Sequence, residues 1–155
     1  MSIEFERKFL IYPDLLINHL VDGTHMVQDY LCYEPAVRIR VEKSAKGKHL
    51  ALLSIKAKGD NVRLEFNYEV PFEDGMAMFA LCGSKGISKT RFRMGRWIID
   101  EFHADLLGLW VAEFEPDYEG EPLELPAWVR REVTKDERYT NGNLLRYGIP
   151  SDYTQ

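Results

Sequence analysis

The residues of this chain that could do chemistry are charged side chains at alternate positions of short segments. Near the start, Glu4, Glu6 and Lys8 are separated by single residues, so in a strand all three would share one face. Arg38 and Arg40 show the same spacing. Arg and Lys neutralise phosphate oxygens, whereas clustered carboxylates bind hard cations such as Mg²⁺. The two kinds of side chain together suit a polyphosphate that carries a divalent cation.

The same alternation recurs in six segments, with apolar residues at the intervening positions. Burying so many charges without a ligand would cost a large free energy, unless the charges pair or stay hydrated. A closed sheet with its charged faces lining a lumen would bind the polyanion. The basic members are Lys8, Arg38, Arg40, Lys56, Arg63, Lys89 and Arg91. The acidic members are Glu4, Glu6, Glu65, Asp100, Glu113 and Glu115.

Each of these segments taken singly also fits a half-exposed strand whose charged face is solvated. Ordinary solvated faces mix Thr, Ser and Gln with the charges, because like charges on neighbouring strands repel each other. Here the charged faces are nearly all Arg, Lys and Glu. The repetition over six segments therefore favours the ligand-binding arrangement.

Period-two alternation predicts eight strands joined mostly by tight turns. They cover residues 3–10, 26–31, 36–42, 50–58, 62–70, 88–94, 97–103 and 109–115. Apolar spacing predicts helices at residues 13–20 and 72–82, and a shorter helix beginning at Thr134. This order predicts a mainly β (α+β) fold, an antiparallel barrel or sandwich with the helices outside the sheet or across one end.

The composition fits a single domain over residues 1–155 and disfavours several classes of protein. A hydrophobic content of 45% over 155 residues is enough for one core. The net charge of −5 disfavours a nucleic-acid surface, which is usually basic. No apolar run approaches the roughly 20 residues of a membrane helix. The acidic N-terminus is unlike a signal peptide, so we expect a cytosolic (cytoplasmic) protein without a membrane partner.

The ordered set of charged residues resembles the CYTH proteins, also called triphosphate tunnel metalloenzymes. The spacing Glu4-x-Glu6-x-Lys8 matches the family's N-terminal signature, although it is a weak signal alone. Similar segments follow in order at residues 28–31, 37–40, 54–56, 63–65, 89–92, 100 and 113–115. Residues 132–141 are similar to the C-terminal segment of the short bacterial members. The resemblance covers residues 3–149, essentially the whole chain.

This resemblance implies an eight-stranded antiparallel closed β-barrel, the triphosphate tunnel, with a few peripheral helices and with Mg²⁺ or Mn²⁺ as cofactor. It implies that the metal is bound by Glu4, Glu6, Glu113 and Glu115, with help, directly or through water, from Glu65 and Asp100. It implies that phosphates are bound by Lys8, Arg38, Arg40, Lys56, Arg63, Lys89 and Arg91. Lys89, Lys8 and Tyr30 are the catalytic residues that it implies.

Two of these implied roles keep an alternative. Lys89 matches a lysine that helps to activate the attacking water in short bacterial relatives, but it would serve equally as a plain phosphate ligand. Relatives often have a second Glu on the fifth strand where this chain has Asn67. One carboxylate fewer leaves the metal preference, and a second metal site, open.

The function expected first is hydrolysis of inorganic tripolyphosphate, because the short chain and its C-terminal segment resemble the bacterial tripolyphosphatases. An adenylyl cyclase that makes cyclic AMP from ATP and a thiamine triphosphatase are the enzymatic alternatives. A binding module for polyphosphate or nucleotides is the non-enzymatic one. The expected partner is thus a small-molecule triphosphate, and the sequence leaves a homodimer open.

Overall fold

The computed structural model describes residues 5–57 and 64–154, which form mainly antiparallel β-structure with two α-helices. Within these residues the strands are β1 Arg7–Ile11, β2 Thr24–Tyr33, β3 Ala36–Ser44, β4 His49–Lys56, β5 Glu65–Val70, β6 Ile87–Met94, β7 Trp97–Phe102, β8 Trp110–Phe114 and β9 Val129–Glu132. The α-helices are α1 Phe72–Leu81 and α2 Asn141–Tyr147. Short 3-10 turns occupy Pro13–Leu15, Ile17–His19, Ala104–Leu106 and Glu137–Tyr139. Neither α-helix has the length and apolar character that crossing a membrane would require.

The chain divides into two compact units. Among the described residues, the first unit contains 24–57 and 64–88, and the second contains 5–23 and 89–154. Strand β6 lies across this division, with Ile87 and Ser88 in the first unit and the remainder in the second. The single domain expected over residues 1–155 stays a prediction.

The sheet of the first unit has the order β5-β4-β3-β2, with antiparallel neighbours throughout. Helix α1 packs against β3 and β4 on the apolar face of this sheet. Gly75 of α1 lies against Ala51 of β4: a Cβ built on Gly75 would be 2.3 Å from the Cβ of Ala51. The backbones of the helix and the strand therefore approach each other closely at this point. The charged residues of β3 alternate with Ile39 and Val41, so they lie on the face away from α1.

The sheet of the second unit has the order β6-β7-β8-β1-β9, again with antiparallel pairing. One face carries the hydrophobic core, built from Ile11, Leu16, Ile99, Trp110 and Ala112. Further apolar side chains pack against that core from Leu20, Phe92, Met94, Trp97 and Trp128. The strand residues between these positions point to the opposite face, which is the charged one.

The eight predicted strands are present within the described residues, with shifted ends. The sequence pattern missed β9, because its four residues, Val129–Glu132, are too short to show an alternation. The helix predicted at residues 13–20 is wrong: two 3-10 turns replace it. The backbone at Leu16 leaves the helical region with φ −123°, and its side chain is buried in the core.

Two further predictions need correction or stay open. No α-helix begins at Thr134, since the chain there forms the Glu137–Tyr139 turn followed by α2. The closed β-barrel is not confirmed: among the described residues, no strand pairing closes the sheet of either unit on itself. Antiparallel β-structure with peripheral helices is the part of the predicted fold that the structure confirms.

Candidate functional site

The most deeply buried charges of the second unit are Lys89 on β6 and Asp100 on β7, each 1% exposed. The Nζ of Lys89 donates to Asp100 Oδ2 over 2.6 Å. Arg91, directly opposite Asp100 in the ladder, donates from Nε and Nη2 to its two carboxylate oxygens, each over 2.8 Å. The three side chains form one ion cluster because β6 alternation puts Lys89 and Arg91 on the face that Asp100 occupies.

In this cluster, burial and the attraction between opposite charges shift each pKa in opposite directions. Burial is the largest influence on Lys89, and with the charge of Arg91 it lowers the pKa of Lys89 to about 8 despite the carboxylate beside it. Burial by itself would raise the pKa of Asp100. The charges and hydrogen bonds of Lys89 and Arg91 outweigh that effect and hold this pKa well below its ordinary value. The cluster therefore joins a carboxylate whose ionised form is strongly favoured to an amine of lowered basicity.

A second group of charges extends the same face to β8 and β1. Glu113 pairs directly with Lys8 in the ladder, and its carboxylate lies 3.7 Å from Arg91 Nη2 and 4.0 Å from Lys8 Nζ. The ammonium of Lys8 also lies 3.5 Å from Glu6 Oε1 and donates to the backbone carbonyl of Tyr139 over 3.2 Å. Lys8 is thus held between carboxylates and the C-terminal segment.

The first unit carries its charges on the face of the sheet away from α1. Tyr30 and Arg38 are opposite each other in the β2–β3 ladder. Burial raises the pKa of the Tyr30 hydroxyl, while the charge and hydrogen bond of Arg38 oppose that shift. Next along β3, Arg40 Nε lies 2.8 Å from Glu42 Oε1.

A polar chain of contacts continues this face across β4 and β5. The Ser54 hydroxyl donates to Asn67 Oδ1, and the Asn67 amide donates to Glu65 Oε1 over 3.1 Å. The same Glu65 oxygen lies 3.2 Å from Lys56 Nζ. Asn67, which stands where relatives often have Glu, therefore orients the one carboxylate of β5 that faces Lys56.

No family model matches the sequence. A curated inorganic triphosphatase of Acetivibrio thermocellus is 33% identical over 154 residues, covering 94% of this chain and 95% of the relative. The chain belongs to the CYTH family of inorganic triphosphatases. Two solved structures of the protein NE1496, one described as an inorganic triphosphatase and one as a hypothetical protein, have the same fold. Their TM-scores are 0.64 and 0.63, at 23% and 24% identity over 97% and 95% of this chain and 99% of each solved chain.

Membership of the triphosphatase family implies a divalent metal, and the donor set of the second unit fits one. Burial raises the pKa of Glu113, and the negative charge of Glu6 raises it further. Two carboxylates that repel each other in this way would gain from a shared cation, and their oxygens are the ligands that Mg²⁺ and Mn²⁺ prefer. Within residues 5–57 and 64–154 there is no group of three His, Cys, Asp or Glu side chains close enough to hold a metal. Glu6, Glu113 and Glu115 are predicted metal ligands that lie within the described residues.

The remaining predicted residues divide into three groups. Glu4 and Arg63 lie outside the described residues. Glu115 lies just beyond the end of β8 and is exposed. Both oxygens of Asp100 accept hydrogen bonds from cations of the chain.

The sequence interpretation missed two groups that the structure adds to the charged faces. Glu42 follows Arg38 and Arg40 at the same two-residue spacing on β3, so the three side chains share one face. The spacing that identified the arginines would have identified Glu42 too. The backbone carbonyl of Tyr139 holds Lys8. No sequence signal marks that carbonyl, because 131 residues separate the two in the chain.

Proposed function

We propose that this chain hydrolyses inorganic tripolyphosphate with Mg²⁺ or Mn²⁺ as cofactor. The observation that carries the proposal is the buried Lys89–Asp100–Arg91 cluster, continued by Lys8 and Glu113 on one face of the second unit. A polyanion whose hydrolysis develops charge on a phosphoryl group needs fixed cations and a positioned water more than it needs covalent chemistry. The relative from Acetivibrio thermocellus, an inorganic triphosphatase, supports the choice of substrate.

Lys8, Lys89 and Arg91 would bind the phosphate oxygens next to the bond that breaks. Asp100 keeps the amine and the guanidinium in fixed positions, so little reorganisation is needed when the substrate arrives. A bound divalent cation would supply neutralisation of charge on the phosphate oxygens, and Glu6, Glu113, Glu115 and Glu4 are the residues proposed to hold it. In the first unit we assign phosphate binding to Arg38, Arg40, Lys56 and Arg63, with Glu65 as an additional acidic group and Tyr30 beside Arg38.

Lys89 has two chemical roles open to it, as a ligand of a phosphate oxygen and as the base that takes a proton from the attacking water. Base catalysis requires a neutral amine, and a pKa near 8 gives Lys89 a neutral fraction that an ordinary lysine lacks at neutral pH. We therefore propose the base as its role in catalysis.

The experiment is a phosphate-release assay with tripolyphosphate, ATP and thiamine triphosphate, each with Mg²⁺ or Mn²⁺ and with a chelator. We expect release from tripolyphosphate that depends on the metal. Lys89→Met and Glu113→Gln should each lower kcat by at least about 100-fold, because the first removes the proposed base and the second removes a proposed metal ligand. Lys135→Met, at an exposed lysine of the same unit, is the matched control and should keep wild-type activity.

The other functions give different results in the same assay. Cyclic AMP formed from ATP would identify a cyclase, and release from thiamine triphosphate in preference to tripolyphosphate would identify a thiamine triphosphatase. If tripolyphosphate binds but is not hydrolysed with any of the metals, the result would support a binding module and contradict hydrolysis as the function.

A further inference from the structure

Gln28 of β2 is a buried amide without hydrogen-bond partners. Its side chain is 1% exposed. Among the described residues neither Oε1 nor Nε2 has a hydrogen-bond partner. Because both atoms lack partners, exchanging the positions of the amide oxygen and nitrogen would still leave the amide unpaired. Most buried side-chain amides of native proteins are paired, so this one calls for an explanation.

The strand register places Gln28 on the charged face of the first unit. Gln28 is two positions before Tyr30 in β2, so the two side chains share one face of the strand. It lies directly opposite Arg40 of β3. Arg38 is the next residue of β3 on this face, and its buried Nε also has no partner among the described residues. Two unsatisfied donors therefore lie on neighbouring strands, on the face opposite the one that α1 covers.

An apolar side chain of the same length would fill the position of Gln28 without leaving a donor and an acceptor desolvated. Local structure does not require the amide either, because the backbone of β2 is paired in its ladder with β3. A ligand with strong acceptor oxygens would supply the missing partner of the amide N–H. Phosphate oxygens meet that requirement, and the neighbouring Arg38 and Arg40 supply the positive charge that would attract them.

We propose that Gln28 is a substrate-binding residue whose Nε2 donates a hydrogen bond to a non-bridging oxygen of the bound triphosphate. Its Oε1 accepts from a water molecule that hydrates the same phosphate. The inference rests on the proposed function, since it names a further contact for that substrate. A neutral amide adds a directional hydrogen bond to a face that otherwise acts through charge, and so fixes the position of the phosphate rather than its overall attraction.

The test is the variant Gln28→Met, which keeps the length of the side chain and removes its polar atoms. Binding of inorganic tripolyphosphate is measured by calorimetry in the presence of a chelator, so the readout does not depend on metal or turnover. We expect the variant to bind about tenfold more weakly, the loss of one hydrogen bond to a charged group. The melting temperature of the free variant should equal or exceed that of wild type, because an unsatisfied amide has been removed.

Met26→Leu is the matched control, since it changes a buried apolar residue of the same strand and face. It should leave tripolyphosphate binding unchanged. Equal affinity of wild type and Gln28→Met would overturn the inference. A fall in melting temperature of more than about 4 °C would overturn it too, because the amide would then have partners inside the free protein.

The hydrolysis assay separates this inference from the proposed function. A wild-type chain that hydrolyses tripolyphosphate, with a Gln28→Met variant of equal affinity, contradicts the role of Gln28 alone. A wild-type chain that neither binds nor hydrolyses tripolyphosphate contradicts both.

Discussion

Asp100 is the residue on which the buried charges of the second unit depend. Its two oxygens accept hydrogen bonds from Lys89 and from Arg91, and it is 1% exposed. A buried ion cluster of this kind is costly to assemble. Once it exists, removing one partner leaves the others charged and desolvated.

We therefore expect Asp100→Asn to lower the free energy of unfolding by about 3–5 kcal/mol, measured by urea denaturation. Glu132→Gln is the control. It breaks the pair of Arg7 and Glu132, whose side chains are 29% and 40% exposed, and it should cost no more than about 1 kcal/mol. A loss below 1 kcal/mol for Asp100→Asn would show that the cluster carries little of the stability.

Glu121 gives a pH-dependent contribution to stability through its pairing with Arg96. Arg96 donates from both terminal nitrogens to its carboxylate, and these bonds, with the backbone N–H of Asp117, lower the pKa of Glu121 to about 2. The folded pKa is thus below the unfolded value of 4.5. The stabilisation is complete above the unfolded pKa and is lost as the pH falls from there through the folded pKa.

The measurable consequence is the stability difference between wild type and Glu121→Gln. We expect it to be constant above about pH 5.5 and to shrink steadily toward pH 2 in denaturation curves taken at several pH values. Glu124→Gln, at an exposed glutamate of the same loop, should show no such trend. A difference that stays level down to pH 2 would contradict the role of the Arg96 pair.

At the scale of elements, the contact of α1 with β4 depends on a glycine. Gly75 is buried, and the Cβ of any larger residue would meet Ala51 at 2.3 Å. Glycine within a helix costs about 1 kcal/mol relative to alanine, so this position gives up helix propensity for a close approach to the sheet.

Gly75→Ala should therefore lower stability by about 1–3 kcal/mol although alanine is the better helix former. Gly142→Ala in α2 is the matched control, because a Cβ there would meet nothing within 4 Å. It should leave stability unchanged or raise it by up to about 1 kcal/mol, as read from thermal unfolding. If both variants were more stable than wild type, α1 would have to shift away from β4 at little cost, which contradicts this prediction.

At the scale of the whole molecule, a net charge of −5 coexists with two faces rich in Arg and Lys. The average charge therefore says little about a binding site, since it also counts acidic residues outside these faces that pair locally, as Glu121 and Glu132 do. Attraction of a polyanion depends on the local field of each face.

Ligand binding should consequently stabilise the entire folded chain by mass action. We expect tripolyphosphate at about 100 times its dissociation constant to raise the free energy of unfolding by about 2.7 kcal/mol, and at 1,000 times by about 4.1 kcal/mol. The measurement is the melting temperature over a concentration series, with orthophosphate as the comparison. A melting temperature independent of tripolyphosphate would contradict specific binding to the folded state.

The sequence alone determined eight of the nine described strands, the face on which their charges lie and the family. These follow from period-two alternation and from the order of motifs, which are local properties of the chain. Arg38 and Arg40 on β3, and Lys89 and Arg91 on β6, could be assigned to a face without any structure, because neighbouring strand residues alternate.

Only the tertiary structure decided which charges pair and what each pairing does. Asp100 was predicted to help hold the metal directly or through water, which stays a prediction. The structure adds that its oxygens hold Lys89 and Arg91, since the register of β6 on β7 puts it opposite Arg91. Burial is the largest cause of the lowered pKa of Lys89, ahead of the charge of Arg91. Burial and register depend on the packing of segments distant in sequence, so alternation within one strand cannot reveal them.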